Sequence, residues 1–357
     1  MQLTSRIHEA ADLEAAVEYC YQQNWTDGLP VIPPTEGAVE RIINYLQRGA
    51  EEVVGIIPPR NGIATIEKIA INCVMAGCKP EYAPIVIAAL EAMLEERFNL
   101  NGVQATTSCC APLTMVSGPA VKTLGFNTRE NAFGHGSRAN AAIGRAVRLI
   151  LWNIGGGYPG DPCKTTLGQP GYYSFCLAED ADSNPWTPLH TDGGFARDDT
   201  VATVTAVGAP NLISTGAGTR PAADVLYVLA RSIAVVGSPN INGGSMVLVL
   251  GPMTARNLAD AGYSKADVVR ELMRQATISV RSAKRRHVIP ESHPLHWSKF
   301  ADPNDDDARV PFIRRAEDIV ILVTGAWGSA GAQCALCTGW GAGGGNTVRR
   351  KVRFPGG

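Results

Sequence analysis

The chain has 357 residues, of which 45 % are hydrophobic and 18 % are charged, a composition typical of globular proteins and not of disordered ones. Its formal net charge is −1, so it lacks the strong basic field that general binding to nucleic acid or to an anionic membrane requires. The length allows two or three domain-sized units.

The first residues lack the apolar stretch of a signal peptide, and no run approaches the roughly 18 apolar residues that span a bilayer. We therefore expect a cytoplasmic protein. In that reducing compartment the nine cysteines are expected to be free thiols, metal ligands or redox pairs, and not structural disulfides.

Residues 1–60 are predicted to form helices around a Pro-rich loop. Apolar residues spaced by three and four predict an amphipathic helix over 9–23, and Thr35 is the predicted cap of a second helix. The intervening segment 24–34 contains too much Pro and Gly for a helix, so it is predicted to be an extended loop.

An apolar helical hairpin is predicted over 64–97, with its turn at Cys78-Lys79-Pro80. Both arms are apolar on most faces, so they are expected to be buried. One sheet face offers too little cover for them, and we therefore expect a homo-oligomer.

Two later segments share one pattern. Residues 113–119 and 246–252 each read as an apolar strand that ends in Gly-Pro, with a helix before it and a helix start after it. A third strand, 319–325, shares only the final Gly. The pattern indicates an α/β fold of internally duplicated α-β-α units, with helices packed on mixed sheets.

This pattern divides the rest of the chain into four segments. The first α/β unit is predicted over 61–157 and the second over 201–282. An irregular loop segment over 158–200 separates them, and 283–357 is predicted to contain a loop, a C-terminal strand and a Cys-x-x-Cys segment.

The first cysteine cluster is the adjacent pair Cys109 and Cys110, which follows the hydroxyl side chains of Thr107 and Ser108. A thiol at a sheet edge near a helix N-terminus would have a lowered pKa and act as a nucleophile. Two neighbouring thiols could instead redox-cycle, bind a soft metal, or simply pack at the start of a strand. The two hydroxyl residues are predicted to bind substrate.

The second cluster is Cys334-x-x-Cys337. This spacing lets two sulfurs bind one metal ion or form a redox disulfide at a helix start, and a purely structural role is the alternative. The sequence leaves open a transition metal as cofactor. It contains neither Gly-x-Gly-x-x-Gly nor a P-loop, so no nucleotide is indicated.

Other candidates lie in turn-rich segments. His190 is in a loop fixed by prolines, which suits a general base or a ligand. His135 lies between two glycines just before a helix, where the helix dipole favours an anion, and Arg138 and Asn140 are predicted to help bind it. Asp27 is a candidate acid or base, or else an Asx-turn residue. The alternative for His190 is packing within its loop.

Several strings together resemble a bacterial family associated with UGSC-type selenoproteins. That name refers to a selenocysteine-Gly-Ser-Cys motif similar to one in the B component of glycine/sarcosine/betaine reductase. The resemblance covers about residues 15–270, although this chain has no UGSC string. The strings are Trp-Thr-Asp-Gly-Leu-Pro (25–30), Glu-Lys-Ile-Ala-Ile-Asn (67–72), Ala-Gly-Cys-Lys-Pro-Glu-Tyr (76–82), Arg-Ala-Asn-Ala-Ala-Ile-Gly-Arg-Ala (138–146), Gly-Gln-Pro-Gly (168–171) and Pro-Trp-Thr-Pro-Leu-His (185–190).

Together these residues predict an enzyme that acts on a small polar or anionic molecule by cysteine thiol chemistry. The adjacent cysteines would attack or relay electrons, His190 or His135 would move protons, and Arg138 would hold the anionic group. The resemblance implies cleavage of a carbon–heteroatom bond, by a lyase or a reductive reaction.

Two alternatives stay open. One is a metal-dependent hydratase or hydrolase that uses the Cys-x-x-Cys pair and a histidine as ligands. The other is a non-catalytic subunit that docks a small selenoprotein or thiol partner. If the duplicated units pack about a pseudo-symmetric centre, both cysteine clusters are expected to reach one cleft.

Overall fold

The computed structural model describes residues 3–286, 289–328, 333–340 and 347–356, and it has an α/β fold built on a seven-stranded mixed sheet. The α-helices are α1 Leu13–Gln22, α2 Glu36–Leu46, α3 Ile66–Met75, α4 Ala83–Met93, α5 Leu100–Ala105, α6 Ala120–Thr123, α7 Arg138–Asn153, α8 Leu189–Asp192, α9 Ala222–Ile233, α10 Pro252–Asp260, α11 Lys265–Gln275 and α12 Val280–Lys284. The strands are β1 Val53–Ile57, β2 Gly62–Thr65, β3 Ala111–Ser117, β4 Tyr158–Pro159, β5 Pro162–Cys163, β6 Cys176–Ala178, β7 Val201–Ser214, β8 Met246–Leu250, β9 Thr277–Ser279, β10 Arg309–Pro311, β11 Ile319–Val323, β12 Gln333–Gly339 and β13 Val348–Lys351.

The main sheet consists of two similar halves. Its strand order is β11-β8-β12-β7-β3-β6, with β13 beside the first half of β7. β3 is parallel to β6 and β8 is parallel to β11, whereas the other neighbours are antiparallel. In each half a strand leads through Gly-Pro into a helix, and the chain later returns as the parallel neighbour. The strand β11 is therefore the counterpart of β6, and not the start of a third copy.

The sheet is curled, so its two faces bury different apolar layers. Side chains alternate between the faces of a strand. In β3, Leu113 and Met115 point into the curled sheet, whereas Val116 packs against the helices of the first half. The helices of the second half, including α9, cover the outer face of β8 and β11.

The predicted helical hairpin forms α3 and α4. Thr65 caps α3 by accepting a hydrogen bond from the backbone N–H of Lys68 (3.3 Å). Nearly every side chain of α4 is buried, and its neighbours α2, α3, α7, β7 and β13 belong to the same chain. The apolar hairpin is therefore covered within the protomer, which removes the reason for which a homo-oligomer was expected.

None of the helices in the described part of the chain is long and apolar enough to cross a membrane.

Candidate functional site

A cavity of about 430 Å³ opens at the C-terminal ends of β8 and β11. Ligands of open α/β sheets bind outside the carboxyl ends of strands, where loops can vary without disturbing the sheet. The described residues that line the cavity include one arginine and no carboxylate. They are Arg129, Asn131, Ala132, Phe133, Leu212, Val249, Gly251, Met253, Thr324, Gly325, Ala326, Gly328, Gln333, Cys334 and Ala335.

The loop 127–137, between α6 and α7, crosses from the first half of the sheet to close this cavity. The carbonyl of Thr128 accepts hydrogen bonds from the backbone N–H of Gly325 (2.9 Å) and from the hydroxyl of Thr324 (3.0 Å). At the start of the loop, the side chain of Asn140 accepts a hydrogen bond from the N–H of Asn127 (2.9 Å) and donates one to the carbonyl of Asn127 (3.1 Å). The cavity is thus built from both halves of the molecule.

Two predicted residues support this loop and do not line the cavity. Asn140 is buried in α7 and anchors the loop's first residue. His135 is exposed, and its carbonyl accepts a hydrogen bond from Asn131 Nδ2 (2.8 Å), while its Nδ1 lies 3.3 Å from the same nitrogen. His135 therefore orients Asn131, whose side chain is part of the cavity wall.

Arg129 supplies positive charge at the cavity. Its side chain is exposed, and its guanidinium has no hydrogen-bond or carboxylate partner among the described residues. The helix α10 begins beside it, and Pro252 at its first position leaves the N–H groups of Met253 and Thr254 without a partner within the helix. The positive end of that helix dipole adds to the charge of Arg129.

Cys334 also contributes to the cavity lining, at the start of β12, but it is only 3 % exposed and its side chain lies on the face of the strand opposite that of Ala335. Its Sγ donates to the hydroxyl of Thr254 (3.4 Å), which is paired with the hydroxyl of Thr215 (3.1 Å). Burial raises the pKa of the Cys334 thiol, and the Thr254 hydroxyl and the backbone N–H of Gly251 offset this only in part. The sulfur therefore carries its proton at neutral pH.

The Cys-x-x-Cys pair was predicted to bind a metal ion or to form a redox disulfide at a helix start, with a structural role as the alternative, but it lies inside a central strand. Residues three apart in a strand face opposite sides of the sheet. Cys334 packs with the outer layer of the second half and Cys337 with the inner layer. The two sulfurs are thus separated by the sheet, a geometry that does not allow both to bind one metal ion. The described residues contain no group of three or more His, Cys, Asp or Glu side chains placed to hold one.

Cys109 and Cys110 lie between the end of α5 and the start of β3, and not at a helix N-terminus. Burial raises the pKa of the Cys110 thiol to about 12, the opposite of the predicted activation. All nine cysteines belong to the described residues, and Cys109 alone is not buried. It remains the accessible thiol of the predicted pair.

The backbone of Thr107 and Ser108, just before this pair, is bonded to a neighbouring loop, and substrate binding by their hydroxyls stays a prediction. The carbonyl of Thr107 accepts from the N–H of Thr166 (3.1 Å), and the carbonyl of Ser108 accepts from the hydroxyl of Thr165 (2.9 Å). These bonds attach the segment to the loop over 164–169.

The two cysteine clusters do not share a cleft. Trp340 donates its indole N–H to the hydroxyl of Thr106 (3.2 Å), close to Cys109. Trp340 follows Cys334 by six residues of mostly extended strand, which span about 20 Å. Cys334 and the Cys109–Cys110 pair therefore lie near opposite ends of β12, with Cys337 between them.

Asp27 is held in an ion pair. Arg145 binds both of its carboxylate oxygens (2.8 and 2.9 Å) and also donates to the carbonyls of Leu29 and Pro30. The Asp27 side chain is 7 % exposed. This pair fixes the Pro-rich loop on α7, and the N–H of Leu29 donates to Asp27 Oδ1 (3.2 Å), so the carboxylate has the structural role of the Asx-turn alternative.

His190 and Arg138 are also placed away from the cavity. His190 is 1 % exposed in α8, and its Nε2 lies 3.2 Å from the carbonyl of Arg197. Arg138 donates its Nε to the carbonyl of Gly77 (2.9 Å), which ties α7 to the end of α3. Neither side chain lines the cavity.

Arg129 and Thr254 were not among the residues predicted for the site. Arg129 lies in a short polar loop with no motif around it, so only tertiary structure shows that it faces a cavity. Thr254 had a usable signal, because it follows the Gly251-Pro252 junction where an apolar strand meets a helix.

No family model matches this chain, and no curated protein matches it.

Proposed function

We propose that this protein is an enzyme that binds a small organic anion in the cavity at the ends of β8 and β11 and acts on it through the thiol of Cys334. The observation that carries the proposal is one cavity lined by both a cysteine and an arginine without a partner among the described residues.

Arg129 supports the anionic character of the ligand. A guanidinium attracts a carboxylate or phosphate strongly because it is always charged and can donate two parallel hydrogen bonds. No carboxylate among the described lining residues competes for it.

Cys334 supports the thiol chemistry. The sulfur would attack a carbon that bears a nitrogen or sulfur leaving group; the C–S bond forms, and the leaving group departs with the bonding electrons and takes the thiol proton. With an acyl carbon, water then attacks the thioester, releases the acid and restores the thiol. The N–H of Gly251 and the hydroxyl of Thr254, at the start of α10, both favour the negative charge that develops on sulfur.

Alkylation with a charged and a neutral reagent tests this proposal. Native protein is treated with iodoacetate or iodoacetamide, and peptide mass spectrometry measures labelling at Cys334, with Cys109 in the same sample as the internal reference. We expect the iodoacetate-to-iodoacetamide ratio at Cys334, relative to Cys109, to fall about tenfold in Arg129→Gln, because the charge pair is lost.

The control is Arg256→Gln, which removes an exposed arginine of α10 outside the cavity lining and should leave the ratio unchanged. The proposal fails if Cys334 stays unmodified in the native protein, or if the ratio is the same in Arg129→Gln and wild type.

A second candidate function rests on Cys109. Because it is the one cysteine that is not buried, it suits exchange with a thiol or selenol partner. Incubation with oxidised glutathione should place one glutathione on Cys109, and Cys109→Ser should abolish that adduct. Glutathionylation of other cysteines at an equal rate would contradict this assignment.

A further inference from the structure

The walls of the cavity are mostly apolar, although the positive charge of Arg129 favours an anionic ligand. Leu212, Val249 and Ala335 form a strip across three neighbouring strands, β7, β8 and β12. Phe133, from the loop 127–137, and Met253, from α10, add to this apolar surface. The polar groups Arg129, Asn131, Gln333 and Thr324 complete the lining.

The apolar strip needs a partner that is itself apolar. Leu212 is 69 % exposed and Phe133 is 39 % exposed, so both present hydrocarbon to the solvent at the cavity. Covering such surface stabilises a complex by about 25 cal/mol for each Å² removed from water. A fully polar ligand would gain nothing from these walls.

The single arginine limits the charge of the ligand. One guanidinium balances one negative charge, and the described lining offers no second cation. A phosphate monoester carries close to two negative charges at neutral pH, whereas a carboxylate carries one. The volume, about 430 Å³, lies in the lower part of the range of small-molecule sites.

We propose that the cavity binds a monocarboxylic acid with an apolar, aromatic or branched body, its carboxylate paired with Arg129 and its body against Leu212, Val249, Ala335 and Phe133. This inference takes from the proposed function only the location of the ligand, and it requires no reaction at Cys334. It replaces the expectation of a generally polar substrate with an amphiphilic one.

Titration calorimetry of the full chain tests this with four probes: 3-phenylpropionate, its neutral amide, acetate and phenyl phosphate. We expect 3-phenylpropionate to bind at least about tenfold more tightly than each of the others. The amide lacks the charge, acetate lacks the body, and phenyl phosphate carries the second charge.

Three variants assign the effect to residues. Arg129→Gln should reduce the affinity for 3-phenylpropionate to that for the amide, whereas Arg256→Gln should leave it unchanged. Leu212 is exposed, so its replacement does not endanger folding. Leu212→Asn should weaken the binding of 3-phenylpropionate severalfold without changing the binding of acetate. Labelling of Cys334 is measured separately from these affinities, so a failure of thiol chemistry leaves this inference intact.

The inference is overturned if the amide or phenyl phosphate binds as tightly as 3-phenylpropionate, or if none of the four probes binds. Unchanged affinity in Arg129→Gln would also overturn it. Circular dichroism and thermal melting of each variant confirm that the chain is folded, so that lost binding reports on the cavity.

Discussion

The backbone N–H of Asp180 donates a hydrogen bond to the carbonyl of Val323 over 2.9 Å. Asp180 follows β6 and Val323 ends β11, so this bond joins the two edge strands of the sheet at their C-terminal ends. It connects the halves on the same side as the contact of Thr128 with Gly325. The cavity exists because the sheet curls far enough for loops of one half to reach strand ends of the other.

Thr324→Val should weaken the contact between the loop 127–137 and the end of β11. The substitution keeps the shape of the side chain but removes the hydroxyl that donates to the carbonyl of Thr128. We expect a loss of about 1 kcal/mol in the free energy of unfolding, measured by urea denaturation, and weaker binding of 3-phenylpropionate. Thr324→Ser keeps the donor and should retain the affinity; equal weakening in both variants would contradict this account.

Stability should depend on the protonation of Glu179. Burial raises its pKa to about 7, although it accepts hydrogen bonds from the N–H of Leu189 and from Asn184. In the folded protein the pKa of Glu179 lies above its ordinary value of 4.5. The protonated carboxyl therefore stabilises the fold fully below about pH 4.5, and this stabilisation is lost as the pH rises through 7. The full change is on the order of 3 kcal/mol.

The measurement is the free energy of unfolding between pH 5 and 8, compared with Glu179→Gln. The neutral amide cannot titrate. The wild type should therefore lose free energy of unfolding relative to the variant as the pH rises. A difference that is constant over this range would show that Glu179 does not titrate there.

Asp27→Ala should destabilise the protein without changing binding in the cavity. It breaks a largely buried bidentate pair and leaves Arg145 without its carboxylate, which we expect to cost about 2 kcal/mol in unfolding free energy. The matched control is Asp182→Ala, which removes an exposed pair with Lys122 and should cost less than about 0.5 kcal/mol. A large loss of 3-phenylpropionate affinity in a stably folded Asp27→Ala protein would argue for a direct role in the site.

Thiol titration should separate Cys109 from the other cysteines. With Ellman's reagent under native conditions, we expect one fast thiol, because the other eight cysteines are buried. Cys109→Ser should remove the fast phase, and Cys110→Ser should keep it. A second fast thiol that is lost in Cys110→Ser would contradict the burial of Cys110.

Local patterns identified many of the helices and the apolar strands. The spacing of apolar residues in 9–23 located α1, and the Gly-Pro endings located β3 and β8, because these signals depend on neighbours in sequence. β12 was missed because both of its faces are buried. Its residues 334–337 therefore show no alternation of polar and apolar side chains, and the two cysteines resemble a Cys-x-x-Cys metal or redox motif.

The candidate site was predicted less well than the fold. Cys334 does line a cavity, and the segment around His135 does close it, yet neither has the expected geometry. Asp27, His190 and Arg138 looked available in sequence, but each is engaged by a partner from elsewhere in the chain or within its own loop. A side chain's partners cannot be read from the residues beside it when those partners are distant in sequence.

The sequence by itself determined the class of the fold, the repetition of its strand–Gly–Pro–helix unit and the buried character of the hairpin, because these follow from residue periodicity and turn chemistry. Tertiary structure alone decided which thiols meet a cavity, that Cys334 and Cys337 face opposite sides of one strand, and that Arg129 lies beside α10. Pairing between distant strands sets those relationships: the curl that joins Asp180 to Val323 depends on the register of the whole sheet, and no short segment encodes it.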